Sequence, residues 1–106
     1  MAQQVSSGDF SEILNGSKDG LILADFYSDT CMPCRRMMPV LSELESESNG
    51  KFTAVKVNVA SDGDLADRYG VDAVPTFILF KNGEEKGRIV GAVPKDELSS
   101  MINGAM

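Results

Sequence analysis

The chain has 106 residues, of which 42% are hydrophobic and 25% charged, and its formal net charge is −6. That composition supplies one ordinary hydrophobic core, so residues 1–106 are expected to form a single domain that folds without help from a metal or a disulfide. The longest basic run is Arg35-Arg36; such an acidic chain repels phosphate backbones and anionic lipid, which argues against nucleic acid and membrane surfaces as partners.

The N-terminal stretch MAQQVSSGDF lacks the basic start and apolar run of a secretion signal. No stretch approaches the roughly 18 apolar residues that a membrane span needs. The expected setting is therefore the cytoplasm, where thiols are kept reduced, and the expected state is a monomer.

A short strand is expected at 3–5. GDFSEILN (8–15) places Phe10, Ile13 and Leu14 at i, i+3 and i+4, which predicts a helix, and Gly16 is a suitable stop. LILADFY (21–27) is a nearly continuous apolar run of strand length, the pattern of a strand covered on both faces. PCRRMMPVLSELESES (33–48) predicts a helix with Met37, Leu41 and Leu44 inward and Glu43, Glu45 and Glu47 outward. Pro33 suits its first turn, Pro39 should kink it, and Asn49-Gly50 should end it.

KFTAVKVNV (51–59) alternates, with Val55, Val57 and Val59 on one face, and reads as a strand. DLADRYG (64–70) reads as a short helix. TFILF (76–80) and KGRIVGA (86–92) read as strands joined by a turn around KNGEE, and KDELSSMI (95–102) as a closing amphipathic helix with Leu98, Met101 and Ile102 inward. Alternating helices and strands give parallel pairing first, and the final strand pair gives an antiparallel hairpin. The expected class is α/β, a mixed sheet sandwiched by helices.

The chemistry lies in Cys31 and Cys34, the two cysteines of the chain. A structural zinc site wants four ligands, usually Cys and His; with no histidine and two cysteines the chain falls short of that set, and no metal is expected. A two-residue gap also closes too short a loop to stabilise much by chain entropy. Redox work fits better. Cys31 should lie just before the helix and Cys34 in its first turn, where unpaired N–H groups and the positive dipole end favour a thiolate. Cys31, the outer one, should attack a substrate disulfide; Cys34, shielded by the helix, should then attack Cys31 and release the reduced substrate.

That second step needs a proton acceptor, and Asp25 is the candidate. It is the one charged residue of LILADFY, and burial there should raise its pKa. The plainer reading is that Asp25 caps a helix or faces a solvated strand end. Lys56, a lone cation between Val55 and Val57, either pairs with Asp25 across neighbouring strands or snorkels to solvent.

CxxC within a βαβ pattern is a recognised cue for a thioredoxin-like motif. The stretches LADFYSDTCMPC, PVLSELESE, VKVNV, YGVDAVPTFILFKNGE and VGAVPKDEL, in this order and at this spacing, resemble the thioredoxin family over nearly the whole chain. The resemblance implies a thioredoxin fold, with a central five-stranded mixed sheet flanked by four helices. It implies protein-disulfide reduction without a bound cofactor, with a thioredoxin reductase or related disulfide reductase and disulfide-containing client proteins as partners.

By position, Cys31 corresponds to the attacking thiol, Cys34 to the resolving one, Asp25 to the family's buried acid, Lys56 to its lysine partner, and Pro33 to the proline between the cysteines. Val74-Pro75-Thr76 corresponds to the family's cis-proline loop. Cis X–Pro bonds are a minority, so the cis state is expected from the resemblance alone. That loop would offer the backbone of Val74 to an extended client segment, and Gly91-Ala92 would complete the groove. Two positions depart from the family: Thr30 stands where Trp is usual and Met32 where Gly is usual. They are expected to touch clients and to set partner choice. The alternatives are a dedicated electron donor to one enzyme, or a binding subunit that keeps the fold without the chemistry.

Overall fold

The seven residues Leu21–Tyr27 form β2, the middle strand of the sheet, and all seven are buried. A strand packed on both faces has no use for polar alternation, which is why its sequence reads as an apolar run. Around it the structure, a computed structural model, describes residues 3–16, 20–48 and 50–106. The other elements are β1 (Gln3–Gln4), α1 (Ser7–Gly16), α2 (Met32–Glu47), β3 (Phe52–Asn58), α3 (Gly63–Arg68), β4 (Thr76–Lys81), β5 (Glu84–Val90) and α4 (Lys95–Gly104).

The sheet has five strands in the order β1-β3-β2-β4-β5. β1 and β2 each run parallel to β3, while β4 is antiparallel to both β2 and β5. This is the expected thioredoxin fold with its four helices. Period-2 alternation divides the core between the two faces. Ile22, Ala24, Phe26, Val55, Val57, Ile78 and Phe80 pack with Phe10 and Leu14 of α1 and Leu65 of α3. Leu21, Leu23, Phe52, Ala54, Phe77 and Leu79 pack with Met37, Leu41 and Leu44 of α2 and Leu98 and Ile102 of α4.

α2 begins one residue earlier than expected and runs through Pro39 as one element of 16 residues. The proline removes the bond that an N–H there would make to the Arg35 carbonyl, but the apolar stripe of Met37, Leu41 and Leu44 still docks on the sheet. Of the expected stop, Asn49 lies outside the described residues. The last strand also departs from expectation. Asn82 (φ 55°) and Gly83 (φ 80°) form a two-residue turn, the conformation that Asn-Gly favours in hairpins. Pairing therefore starts at once, with Lys81 opposite Glu84. At the other end Gly91 has φ 98°, which leaves the extended region, so Gly91 and Ala92 lie outside β5 rather than within it. No helix among the described residues is long and apolar enough to cross a membrane.

Candidate active site

β2 and β3 run parallel, so both end on the same side of the sheet, and β4, antiparallel to β2, begins there. The loop after β2 carries Cys31, the first turn of α2 carries Cys34, and the loop before β4 carries Pro75. Crevices at the carboxyl ends of parallel strands are the usual site positions of such sheets.

Cys31 is the N-cap of α2, with extended backbone (φ −88°, ψ 107°), and its sulfur accepts from the Cys34 N–H at 3.1 Å. It serves a free helix-end donor as a Ser or Asp cap would. Its carbonyl accepts the Arg35 N–H at 3.2 Å, and its own N–H reaches Ser28 O at 3.2 Å. Pro33 occupies the first turn, where no N–H is needed. Cys31 and Cys34 form a disulfide with Cα atoms 5.2 Å apart. The pair is unequal: Cys31 is partly exposed and Cys34 is 2% exposed. Arg35 turns back on the loop and donates to Asp29 O at 3.0 Å.

Asp25 is 1% exposed. It shares a face of β2 with Leu21, Leu23 and Tyr27, the face that α2 covers. Both of its carboxyl oxygens are buried without a hydrogen-bond partner. Burial pushes its pKa up to about 7, against a weaker opposing pull from Lys56. The alternative of a capping or solvated aspartate is thereby corrected.

Lys56 stands directly opposite Asp25 in the β2–β3 register, so the strands are neighbours as the pairing idea required. A direct bond does not follow. The ammonium lies over the Tyr27 ring, 4.6 Å from its centroid, and interacts with Asp25 only through space. A cavity of about 250 Å³ connects these groups; Asp25, Tyr27, Asp29, Cys34, Met38 and Lys56 are among its lining residues.

The Val74–Pro75 peptide is cis. Pro75 O accepts the Gly91 N–H at 2.8 Å, which ties the loop to the end of β5. Val74 and Gly91 are partly exposed, Ala92 and Thr30 are exposed, and Met32 is 61% exposed. Thr76, the first residue of β4 after that loop, turns its side chain inward. It lies on the face of β4 shared with Ile78 and Phe80, which looks toward α1 and α3. Its hydroxyl is buried and donates to Ala73 O at 2.7 Å. Thr76 shapes the cis loop from behind.

Three residues near the site carried no weight in the sequence. Tyr27 and Asn58 follow Asp25 and Lys56 by two positions, so strand periodicity alone put them on the same face. Asn58 is buried; it donates to Asp29 Oδ2 at 3.3 Å and accepts from Ala60 N at 2.9 Å, which braces the loop below Cys31. Met38, 41% exposed, is the third. Among the described residues no group of three or more His, Cys, Asp or Glu side chains is placed to hold a metal ion.

A mixed α/β sheet with a two-cysteine redox centre at the head of a helix, a buried acid beneath it and a cis-proline loop beside it in the fold defines a class of thiol–disulfide proteins. The chain belongs to the thioredoxin family: the family model described as Thioredoxin matches residues 1–104. It is similar to a thioredoxin of Chlamydia caviae, 40% identical over 103 residues, which cover 97% of each chain. It is also similar to the chloroplastic M-type thioredoxin of Pisum sativum, 38% identical over 100 residues, which cover 94% of this chain but 58% of that protein. The chain thus spans little more than half the length of that relative, and 48% of thioredoxin M5 from Oryza sativa. A solved thioredoxin structure from Fasciola hepatica superposes with a TM-score of 0.91 at 31% identity and full coverage of both chains.

Proposed function

We propose that this protein reduces protein disulfides by dithiol–disulfide exchange through Cys31 and Cys34. The observation that carries the proposal is the unequal pair: a partly exposed cysteine at a helix N-cap, disulfide-bonded to a buried one. In the reduced protein the Cys31 thiolate attacks one sulfur of a client disulfide. A mixed disulfide forms and the other client sulfur leaves as a thiolate, which takes up a proton. Cys34 then loses its proton and attacks Cys31 Sγ. The Cys31–Cys34 disulfide forms and the second client thiol is released. The client gains two electrons and the pair loses two.

Asp25 is assigned as the acceptor of the Cys34 proton. Support comes from its burial, its pKa near neutrality and the cavity it shares with Cys34 and Lys56. Pro33 holds the first turn that separates the two sulfurs. Thr30, Met32, Val74, Gly91 and Ala92 are assigned to client contact; all five are exposed or partly exposed. Two electrons from a reductase, a thioredoxin reductase or a relative of it, close the cycle. One domain, acting as a monomer, suffices for this chemistry. A reducing compartment is implied, the cytoplasm in the simplest case. Several of the related proteins are named as chloroplastic, and the same exchange suits any compartment with a reductant.

A second reading is favoured by Met32. An apolar, flexible side chain 61% exposed at the first helical position suits a dedicated partner with an apolar pocket. The midpoint potential of the pair, read against glutathione or dithiothreitol buffers, tests direction: a reductant lies near about −270 mV, and a value near about −120 mV marks an oxidant. Turnover with several reductases separates a generalist from a dedicated donor, since the generalist accepts a conventional one.

A further inference from the structure

We propose that Tyr27 is a positioning residue of the redox site: its ring face holds the Lys56 ammonium away from the Asp25 carboxyl and so leaves the acid without a direct cationic partner. The proposal deepens the role assigned above to Asp25 as proton acceptor and rests on it. Asp25 and Tyr27 are two residues apart on β2 and share a face, and Lys56 is opposite Asp25 on β3. An ammonium so placed has two destinations within its reach, the carboxylate and the π-face. It takes the ring, 4.6 Å from the centroid, and both carboxyl oxygens stay unbonded.

The two destinations exclude each other and are coupled to protonation. A neutral Asp25 exerts little pull on Lys56, and a lysine held on the ring leaves the neutral acid undisturbed. Ionised Asp25 competes with the ring for the same cation. The remaining neighbours do not replace Lys56. Arg35 of α2 is bonded to Asp29 O. Cys34 of α2 is in the disulfide, and Asp29 of the loop is itself an acid. β4 presents Phe77 opposite Asp25, and β1 contributes the uncharged Gln4 to the cavity.

The test reads the Asp25 carboxyl directly, by its carbon chemical shift against pH in the oxidised protein. The disulfide cannot titrate there, and the outcome does not depend on Asp25 acting as a relay. Tyr27→Leu is expected to lower the Asp25 midpoint by about one pH unit or more as Lys56 moves onto the carboxylate. Tyr27→Phe, which keeps the ring, leaves it in place. In a Lys56→Met background Tyr27→Leu no longer lowers it. An unmoved midpoint in Tyr27→Leu overturns the proposal. So does an equal fall in the Lys56→Met background, which would mean that water entry rather than the lysine is responsible. A measurement independent of variant folding is the ring-current shift of the Lys56 ε-protons in the unmodified protein: an upfield shift is expected, and unshifted protons overturn the proposal. Failure of the relay role shows elsewhere. If Asp25→Asn resolves mixed disulfides at the full rate, that role falls, whatever the Asp25 midpoint does in the Tyr27 variants.

Discussion

Asp25 shows how one residue in an apolar strand acquires a function from its surroundings. Alone in water an aspartate is ionised at neutral pH. Beneath α2, without a hydrogen-bond donor, its neutral form is favoured enough to bring the pKa to about 7. A value near neutrality suits the role proposed for it, accepting a proton from Cys34 and returning it at the same pH. Replacement by Asn keeps the shape and removes the acceptor. Asp25→Asn should slow resolution of the mixed disulfide on the order of 10²-fold at pH 7, the lower end of what a positioned acid–base group supplies. The attack by Cys31 should change much less. Stopped-flow measurement of the two steps checks this, and equal slowing of both steps would contradict the assignment. Cys31, Cys34 and Asp25 were all legible in the sequence, because chemistry and position coincided: two cysteines at a helix start and one charge in an apolar run. Tyr27 was not, because an aromatic residue in a buried strand ordinarily signifies packing.

At the scale of elements the site depends on the two loops that leave the same side of the sheet. The Gly91 N–H bonds Pro75 O at 2.8 Å while its own backbone sits at φ 98°. A Cβ built there meets nothing within 4 Å, so any cost of Gly91→Ala comes from backbone strain and not from collision. The expected loss is about 1–2 kcal/mol, read as a lower urea midpoint at unchanged slope. Looser seating of the Val74–Pro75 loop should raise KM for a protein disulfide. An unchanged midpoint would mean that the loop does not constrain this position. Elements with strong periodicity were legible, α1, α2, α4 and the alternating β3 among them. The ends of β5 were not, because they follow from two positive-φ residues beside it, Gly83 and Gly91. The cis bond cannot be read from Val74-Pro75 itself, since most X–Pro bonds are trans, so only the family resemblance anticipated it.

For the whole molecule, Asp25 makes stability depend on pH. Its folded pKa, about 7, lies above the ordinary 3.8. Below both values the acid is protonated in both states and costs nothing. Between them the folded protein keeps a proton that the unfolded chain has lost, so stability falls as pH rises across the window, and above it the penalty is complete. At about 1.4 kcal/mol per pH unit, the window sets a ceiling of about 4 kcal/mol. Asp25→Asn should therefore be more stable than the parent at pH 8, by roughly 2–4 kcal/mol in urea unfolding, with the advantage shrinking to nearly nothing by about pH 4. A pH-independent difference would rule out Asp25 titration as its cause. On the proposed assignment of Asp25, the stability given up at neutral pH is the cost of keeping an acceptor next to the redox pair. The fold was legible at this scale because apolar runs, alternation and turn residues agreed on one topology.

The division of labour between the two cysteines is most directly tested by trapping. Reduced Cys34→Ser protein is mixed with a disulfide-containing client, and adducts are resolved by non-reducing mass spectrometry. A stable one-to-one mixed disulfide through Cys31 is the result expected, with no corresponding adduct from Cys31→Ser. Adducts through Cys34 in the Cys31→Ser protein, or none in either variant while the unmodified protein reduces the same client, would contradict it.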